Sequence, residues 1–159
     1  MLQQVILFGA LLQHKKGIVM IKNKRLKKRW IKALRSGEYK QARRSLLKID
    51  NKGKESFCCL GVLCNEELDD DWVREGGNDY GFLRKQSEDV DSSELPEDFR
   101  IKIGLSDTDQ RTLTQMNDGI TDGISSINRH SFSSIADWIE KNLYDNEEVV
   151  VKLVVPHYE

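Results

Sequence analysis

The side chains best placed to do chemistry are three thiols in one apolar run, Phe57-Cys58-Cys59-Leu60-Gly61-Val62-Leu63-Cys64. The run reads as the start of a helix at about Cys59. A cysteine there faces unpaired backbone N–H groups, which favour thiolate over thiol. A thiolate of that kind is the nucleophile of hydrolases and transferases. Cys59 or Cys58 would attack, and Asn117, Asp118 and His130 are the later polar groups able to complete a Cys-His-Asn/Asp set, whose members are recognised by geometry and not by chain order. The competing reading is that small, apolar cysteines are core residues, and no base stands beside them in the sequence.

The same residues do not suggest a metal. Cys58 and Cys59 are adjacent, and Cys59-x4-Cys64 has no second Cys/His pair at finger spacing. Asp69-Asp70-Asp71 lacks the spacing of a calcium loop. With no phosphate-loop, dinucleotide, zinc-protease or kinase motif, neither a metal nor a cofactor is expected. Three cysteines and no convincing signal peptide point to free thiols in a reducing cytosol.

A second chemistry is suggested by charge. The chain has a net charge of −1, yet residues 1–50 carry 14 Lys/Arg against 2 Asp/Glu, while residues 51–159 carry 11 against 24. Such asymmetry points to an anionic partner for the basic part, or to mutual attraction of the two halves. The candidate anion ligands are Lys28, Arg35, Tyr39, Lys40, Gln41, Arg43 and Arg44, with Asn117 from the later chain. Trp30 adds a ring able to stack on a base, so nucleic-acid binding through the basic helix is a weaker alternative. The bland counterpart is a solvated basic face with Trp30 in the core. No apolar run approaches the roughly 18–20 residues of a membrane span, so no membrane partner is expected.

These residues need elements to hold them. Lys24 to Ser36 reads as an amphipathic helix, with Leu26, Trp30, Ala33 and Leu34 on one face, Lys27, Lys28, Lys32 and Arg35 largely elsewhere, and Gly37 as the stop. Residues 45–58 read as a β-hairpin turning at Asp50-Asn51-Lys52-Gly53. A helix follows to about Leu68, and Gly61 on it permits close approach of another backbone. Residues 74–94 read as acidic, mobile surface. Leu95-Pro96 opens a short helix ending at Gly104, and Ser106 starts another that ends near Asn117-Asp118-Gly119 with Leu113 and Met116 inward. An irregular loop spans 119–130. Ser131 or Ser133 caps a last helix, with Phe132, Ile135, Ala136, Ile139 and Leu143 buried. Residues 149–155 read as a strand pairing with the hairpin. The expected fold class is α+β: a small antiparallel sheet from 45–58 and 149–155, packed by four to five helices.

Before Met20 the chain has another explanation. Lys15-Lys16-Gly17 must be encoded by a purine run, and Ile18-Val19 then space it from the Met20 codon, which is the form of a bacterial ribosome-binding site. The expectation is that residues 1–19 are an over-extended reading frame and that 20–159 form a single globular domain.

Trp30-Ile-Lys-Ala-Leu-Arg-Ser-Gly-Glu-Tyr-Lys-Gln41, Phe57-Cys-Cys-Leu-Gly-Val-Leu-Cys64, Leu113-Thr-Gln-Met-Asn-Asp118 and Ser131-Phe-Ser-Ser-Ile-Ala-Asp-Trp-Ile-Glu140 together resemble a family of short phage and prophage proteins of unknown function. The likeness runs from Trp30 to about Leu143. In that family the connection between Asn-Asp and Ser-Phe is short, whereas residues 119–130 intervene here. The resemblance implies a phage-encoded binding module in the host cytoplasm. It would sequester a host protein or an anionic small molecule such as a nucleotide-type defence signal. The alternative is a cysteine-dependent hydrolase using Cys58 or Cys59. The oligomeric state is left open.

Overall fold

A computed structural model describes residues 20–21, 23–67, 71–83, 91–121 and 126–145. The over-extended frame expected at 1–19 and the strand expected at 149–155 lie outside these residues.

Asn23 starts the first helix by a local device. Its side-chain oxygen accepts the Leu26 N–H at 3.0 Å, satisfying one donor that a helix start leaves unpaired. This helix, α1 (Lys24–Arg35), buries Leu26, Trp30, Ala33 and Leu34 as the periodicity predicts. It ends where Gly37 takes φ +76°, a conformation that suits glycine. Trp30 is fully buried and its indole N–H donates to the Cys59 carbonyl at 2.8 Å. It is a core residue and not a stacking platform.

β2 (Leu47–Ile49) and β3 (Glu55–Phe57) form the expected hairpin, with Leu47 opposite Phe57 and Ile49 opposite Glu55. α2 (Cys59–Glu67) follows at once. Its residues Cys59 to Cys64 are all buried, so it is a central helix with no solvent stripe. α1 and α4 (Asp107–Asp118) both pack on it.

The expectation of mobile surface at 74–94 is corrected over 74–83, while residues 84–90 lie outside the described residues. β4 (Asp71–Gly76) and β5 (Asp79–Leu83) form a second hairpin, and β5 pairs antiparallel with β2. The sheet order is β3-β2-β5-β4. The hairpin is held from below by an edge-to-face aromatic series. Tyr39 meets Phe57 at 5.2 Å, Phe57 meets Trp72 at 6.1 Å and Trp72 meets Phe82 at 5.2 Å. Around the Gly-Gly-Asn turn, Trp72 and Arg74 share one face of β4 and lie opposite Phe82 and Tyr80 of β5, an i, i+2 pattern set among acidic residues.

α3 (Glu97–Ile103) begins one residue later than expected, with Pro96 before it and Gly104 closing it. Ser106 caps α4, accepting the Asp109 N–H at 3.0 Å. The loop expected at 119–130 contains a two-residue ladder, β6 (Ile120–Thr121) with β7 (Ser126–Ile127). Ser131, not Ser133, caps α5 (Phe132–Asn142), which buries Phe132, Ile135, Ala136 and Ile139, with Leu143 buried just beyond it. Lys27 departs from its expected outer face: it is buried, and its ammonium donates to the Leu143 carbonyl at the end of α5. β8 (Tyr144–Asp145) pairs in parallel with β1 (Met20–Ile21), apart from the main sheet.

The architecture is therefore α+β, with five helices among the described residues and one four-stranded antiparallel sheet. No helix among them is long and apolar enough to cross a membrane.

Candidate functional site

Cys58 occupies the cap of α2, and its sulfur accepts the Gly61 N–H at 3.3 Å, in the way a capping serine oxygen does. Cys59 is fully buried, its sulfur 3.6 Å from the Leu113 carbonyl. Burial pushes the Cys58 thiol up to about 12 and the Cys59 thiol well above its usual range. The negative charge of Asp118 adds to both shifts. The N–H groups of the helix start work in the opposite direction and are outweighed. The activated thiolate expected at this position is thus replaced by two protonated, enclosed thiols.

His130 does not reach them. Its backbone N–H donates to the Met116 carbonyl at 2.8 Å, and its carbonyl accepts from the Gln41 amide at 3.0 Å. Among the described residues no hydrogen bond links the His130 ring to either sulfur. Iodoacetamide at about pH 7 should alkylate the native protein at least roughly 100-fold more slowly than the guanidinium-unfolded protein, because reaction requires opening of the core. Comparable rates by intact mass would contradict this burial.

Asn117 is the polar centre of the fold. It is fully buried at the end of α4, and its side-chain oxygen accepts from the Cys59 N–H at 3.0 Å and the Gln41 amide at 3.1 Å. Its side-chain nitrogen donates to the Ala42 carbonyl and to Asp118 Oδ1, both at 2.8 Å. Both of its donors and both of its acceptor sites are used. Gln41 likewise commits both amide protons, to Asn117 and to the His130 carbonyl. These two expected ligand residues serve as internal connectors.

The remaining basic candidates fall into two groups. Lys28 and Arg35 lie on α1, along an open groove of about 530 Å³ shared with Ile31, Lys32, Ser36 and Glu140. Arg35 already holds Asp137 at 2.6 Å and Glu140 at 2.7 Å, which stabilises its charge further. Tyr39 donates to Glu66 at 2.8 Å and accepts from Asn65 at 2.8 Å. Lys40 is exposed and its carbonyl accepts the Phe57 N–H.

Arg43 and Arg44 form the second group, exposed just before β2. Arg44 takes φ +61°, unusual for a residue with a side chain, and its N–H donates to Asp118 Oδ1 at 3.1 Å. Strain of this kind, roughly 1–2 kcal/mol, persists where neighbours hold it. Arg44, Ser45, Cys58, Ser93, Thr114, Asn117 and Asp118 line a small cavity of about 30 Å³. That is room for one small group.

The residue that the sequence reading missed is Arg129. It is half-buried, and its Nε and Nη2 are shielded from solvent with no hydrogen-bond partner. Burial above all, and then repulsion from Arg43, loosen its hold on the proton, while Asp118 opposes them. Arg43 and Arg129 are thus near enough to repel, and Asp118 is near both Arg129 and Arg44. The one available signal was that Arg129 is the single Lys or Arg in the long connection between α4 and α5, with His130 beside it.

Nε–H and Nη2–H project from the same edge of a guanidinium, the edge that takes two oxygens of a carboxylate or phosphate side by side. Among the described residues no group of three His, Cys, Asp or Glu side chains is placed to hold a metal ion.

No curated protein and no solved structure matches this chain. A family model described as a domain of unknown function (DUF8296) matches residues 22–143, from just before α1 to the end of α5, and the chain belongs to that family.

Proposed function

We propose that this protein is a phage-encoded binding module that holds an anionic ligand at Arg43, Arg44 and Arg129 without transforming it. The observation that carries the reading is the unpartnered edge of the Arg129 guanidinium. A shielded, unsatisfied charged group costs several kcal/mol by general estimates and is not explained by the packing of the fold. A bound oxyanion supplies the missing acceptors and relieves the repulsion from Arg43. The phage setting rests on the resemblance of the Cys-Cys-Leu-Gly-Val-Leu-Cys and Ser-Phe-x-x-Ile-Ala-Asp segments to phage and prophage proteins. In that setting, in the host cytoplasm, a stoichiometric binder acts by sequestering a host factor or a nucleotide-type signal.

Nucleic-acid binding through α1 has less support. Trp30 is buried and Arg35 is neutralised by two carboxylates. A cysteine hydrolase has less still, since both candidate thiols are enclosed and protonated.

The test is a thermal melt in sodium phosphate against sodium chloride at matched ionic strength. A ligand that binds only the folded state raises Tm as its concentration passes Kd. The wild-type Tm should rise with phosphate. Arg129→Met should lose that response while melting, without phosphate, at or above the wild-type temperature, because it removes an uncompensated charge. An equal phosphate response in Arg129→Met would sink the reading. So would a large loss of stability without phosphate, which would make Arg129 a structural residue.

A further inference from the structure

We infer that the groove along α1, bordered by Glu140 of α5, docks a helical segment of a partner protein that carries carboxylates along one edge, at a site separate from Arg129. α1 holds seven Lys/Arg and no Asp/Glu in its twelve residues. Four of these, Arg25, Lys28, Arg29 and Lys32, are exposed and stand at i, i+3, i+4 and i+7, so they form one stripe down the helix. Like charges at that spacing repel and weaken the helix that bears them. Among the described residues none of the four makes an ion pair, and Arg29 donates only to the Glu66 carbonyl, at 3.1 Å. Carboxylates from outside the chain would offset that repulsion.

Lys28 and Lys32 also line the open groove of about 530 Å³, with Ile31, Arg35, Ser36 and Glu140. Its wall is mostly apolar although four of these six side chains carry charge. Ile31 and the methylene stems of the long side chains supply that surface. From Lys28 to Ser36 the helix rises about 12 Å, two turns of a docked helix. The far side of the groove differs in sign. Glu140 and Asp137 there share the one guanidinium of Arg35, which leaves a carboxylate in surplus. A partner fits when its acids meet α1, its neutral or basic residues meet α5, and apolar residues lie between them over Ile31. A helix does this with Asp or Glu four and seven residues apart, the spacings of Lys28 to Lys32 and of Arg25 to Lys32.

Other anionic surfaces fit less well. A nucleic-acid strand would set phosphates against Glu140, and Trp30, the ring that could stack on a base, is fully buried. A membrane surface needs an apolar helix face to insert, but Leu26, Trp30, Ala33 and Leu34 are spent on the core.

Fluorescence anisotropy of the full chain with a labelled, acetylated and amidated peptide of about 15 residues tests this. The peptide carries Glu at i, i+4, i+7 and i+11 along one edge, Leu on the adjoining edge, and Gln and Ala elsewhere. It should bind with a micromolar Kd in about 50 mM NaCl and about tenfold more weakly in about 500 mM. A scrambled peptide of the same composition should bind at least about tenfold more weakly than the patterned one. Lys28→Glu with Lys32→Glu, both at exposed positions, should keep the circular-dichroism spectrum and reduce affinity at least about tenfold. Glu140→Gln should narrow the preference for this peptide over one with Glu on both edges, whereas Glu55→Gln, the same charge change on β3, should not.

Equal affinity for the scrambled peptide, or equal affinity of the Lys28→Glu, Lys32→Glu protein, would overturn the inference. So would absence of binding at millimolar protein. Tighter binding of a single-stranded oligonucleotide or of phosphatidylserine vesicles would overturn it in favour of those partners. A dimer in sedimentation velocity that the double variant dissociates would assign the groove to a second copy of this chain instead. The double variant should leave the phosphate response at Arg129 intact, so either proposal can fail while the other stands.

Discussion

Gly61→Ala should lower the thermal midpoint by about 10 °C or prevent recovery of folded protein. A Cβ at this position would lie 1.8 Å from the Leu46 carbonyl oxygen and 2.6 Å from its carbon. Both are backbone atoms, so no flexible side chain can swing aside. The Leu46 carbonyl is held by the Cys58 N–H at 3.2 Å, and the Leu46 N–H is held by the Ser92 carbonyl at 2.6 Å. Relief must come from moving α2. That movement pulls on the Trp30–Cys59 and Cys59–Asn117 hydrogen bonds, because both end on the first residue of that helix. Overpacking of a close-packed core typically costs about 1–3 kcal/mol, and rigid backbone on both sides places this case at or above the upper end. For a domain of this size each kcal/mol is worth about 2–4 °C. Gly76→Ala is the control, since nothing lies within 4 Å of a Cβ there. If circular-dichroism melts place both variants within about 2 °C of wild type, the close approach of α2 to Leu46 is wrong.

Asn117→Ala should be comparably severe for a different reason. Removing the side chain leaves the Cys59 N–H and the Ala42 carbonyl buried without their partners. Each orphaned buried group costs about 1–3 kcal/mol, which together is a large part of a stability of about 5–15 kcal/mol. Gln41 loses one of its two acceptors, and Asp118 loses a donor that helps hold it against Arg44. The loss should therefore spread to the candidate anion site. Asn117→Ala that still folds should respond to phosphate less than wild type does, even though no ligand contact is assigned to Asn117 itself. Urea unfolding monitored by tryptophan fluorescence measures the first effect and the phosphate melt measures the second. A midpoint unchanged in urea would mean that water or a neighbour replaces the amide and that Asn117 is not the connector described above.

Both predictions concern residues that the sequence marked, Gly61 for the reason the structure shows and Asn117 for a different one. Gly61 was singled out because a glycine inside a helical pattern suggests a close backbone, and Leu46 proved to be that backbone. Asn117 was singled out as a ligand or triad member, yet all four of its hydrogen-bonding sites are used within the protein. An asparagine beside an aspartate looks the same in a sequence whether it faces a ligand or a core. Cys58 shows the same limit. A thiol at a helix start is legible from the apolar run, but whether the helix N–H groups or desolvation governs it depends on what packs over it. Here burial wins, and Cys58 becomes a cap with its proton retained.

What the chain determined locally is the set of helices and the first hairpin. The period of Leu26, Trp30, Ala33 and Leu34, the caps at Ser106 and Ser131 and the stop at Gly37 are short-range devices, readable within a turn or two of the residue concerned. The second hairpin shared that local code, but its acidic surroundings outweighed a weaker alternation. Only the tertiary structure decided which charges meet. Arg35 and Glu140, 105 residues apart, neutralise one another, while Arg129 comes within electrostatic reach of Arg43 with one shielded edge of its guanidinium unpartnered. The reason is physical: solvation and Coulomb energy depend on distance through the folded body, and distance along the chain carries almost no information about it.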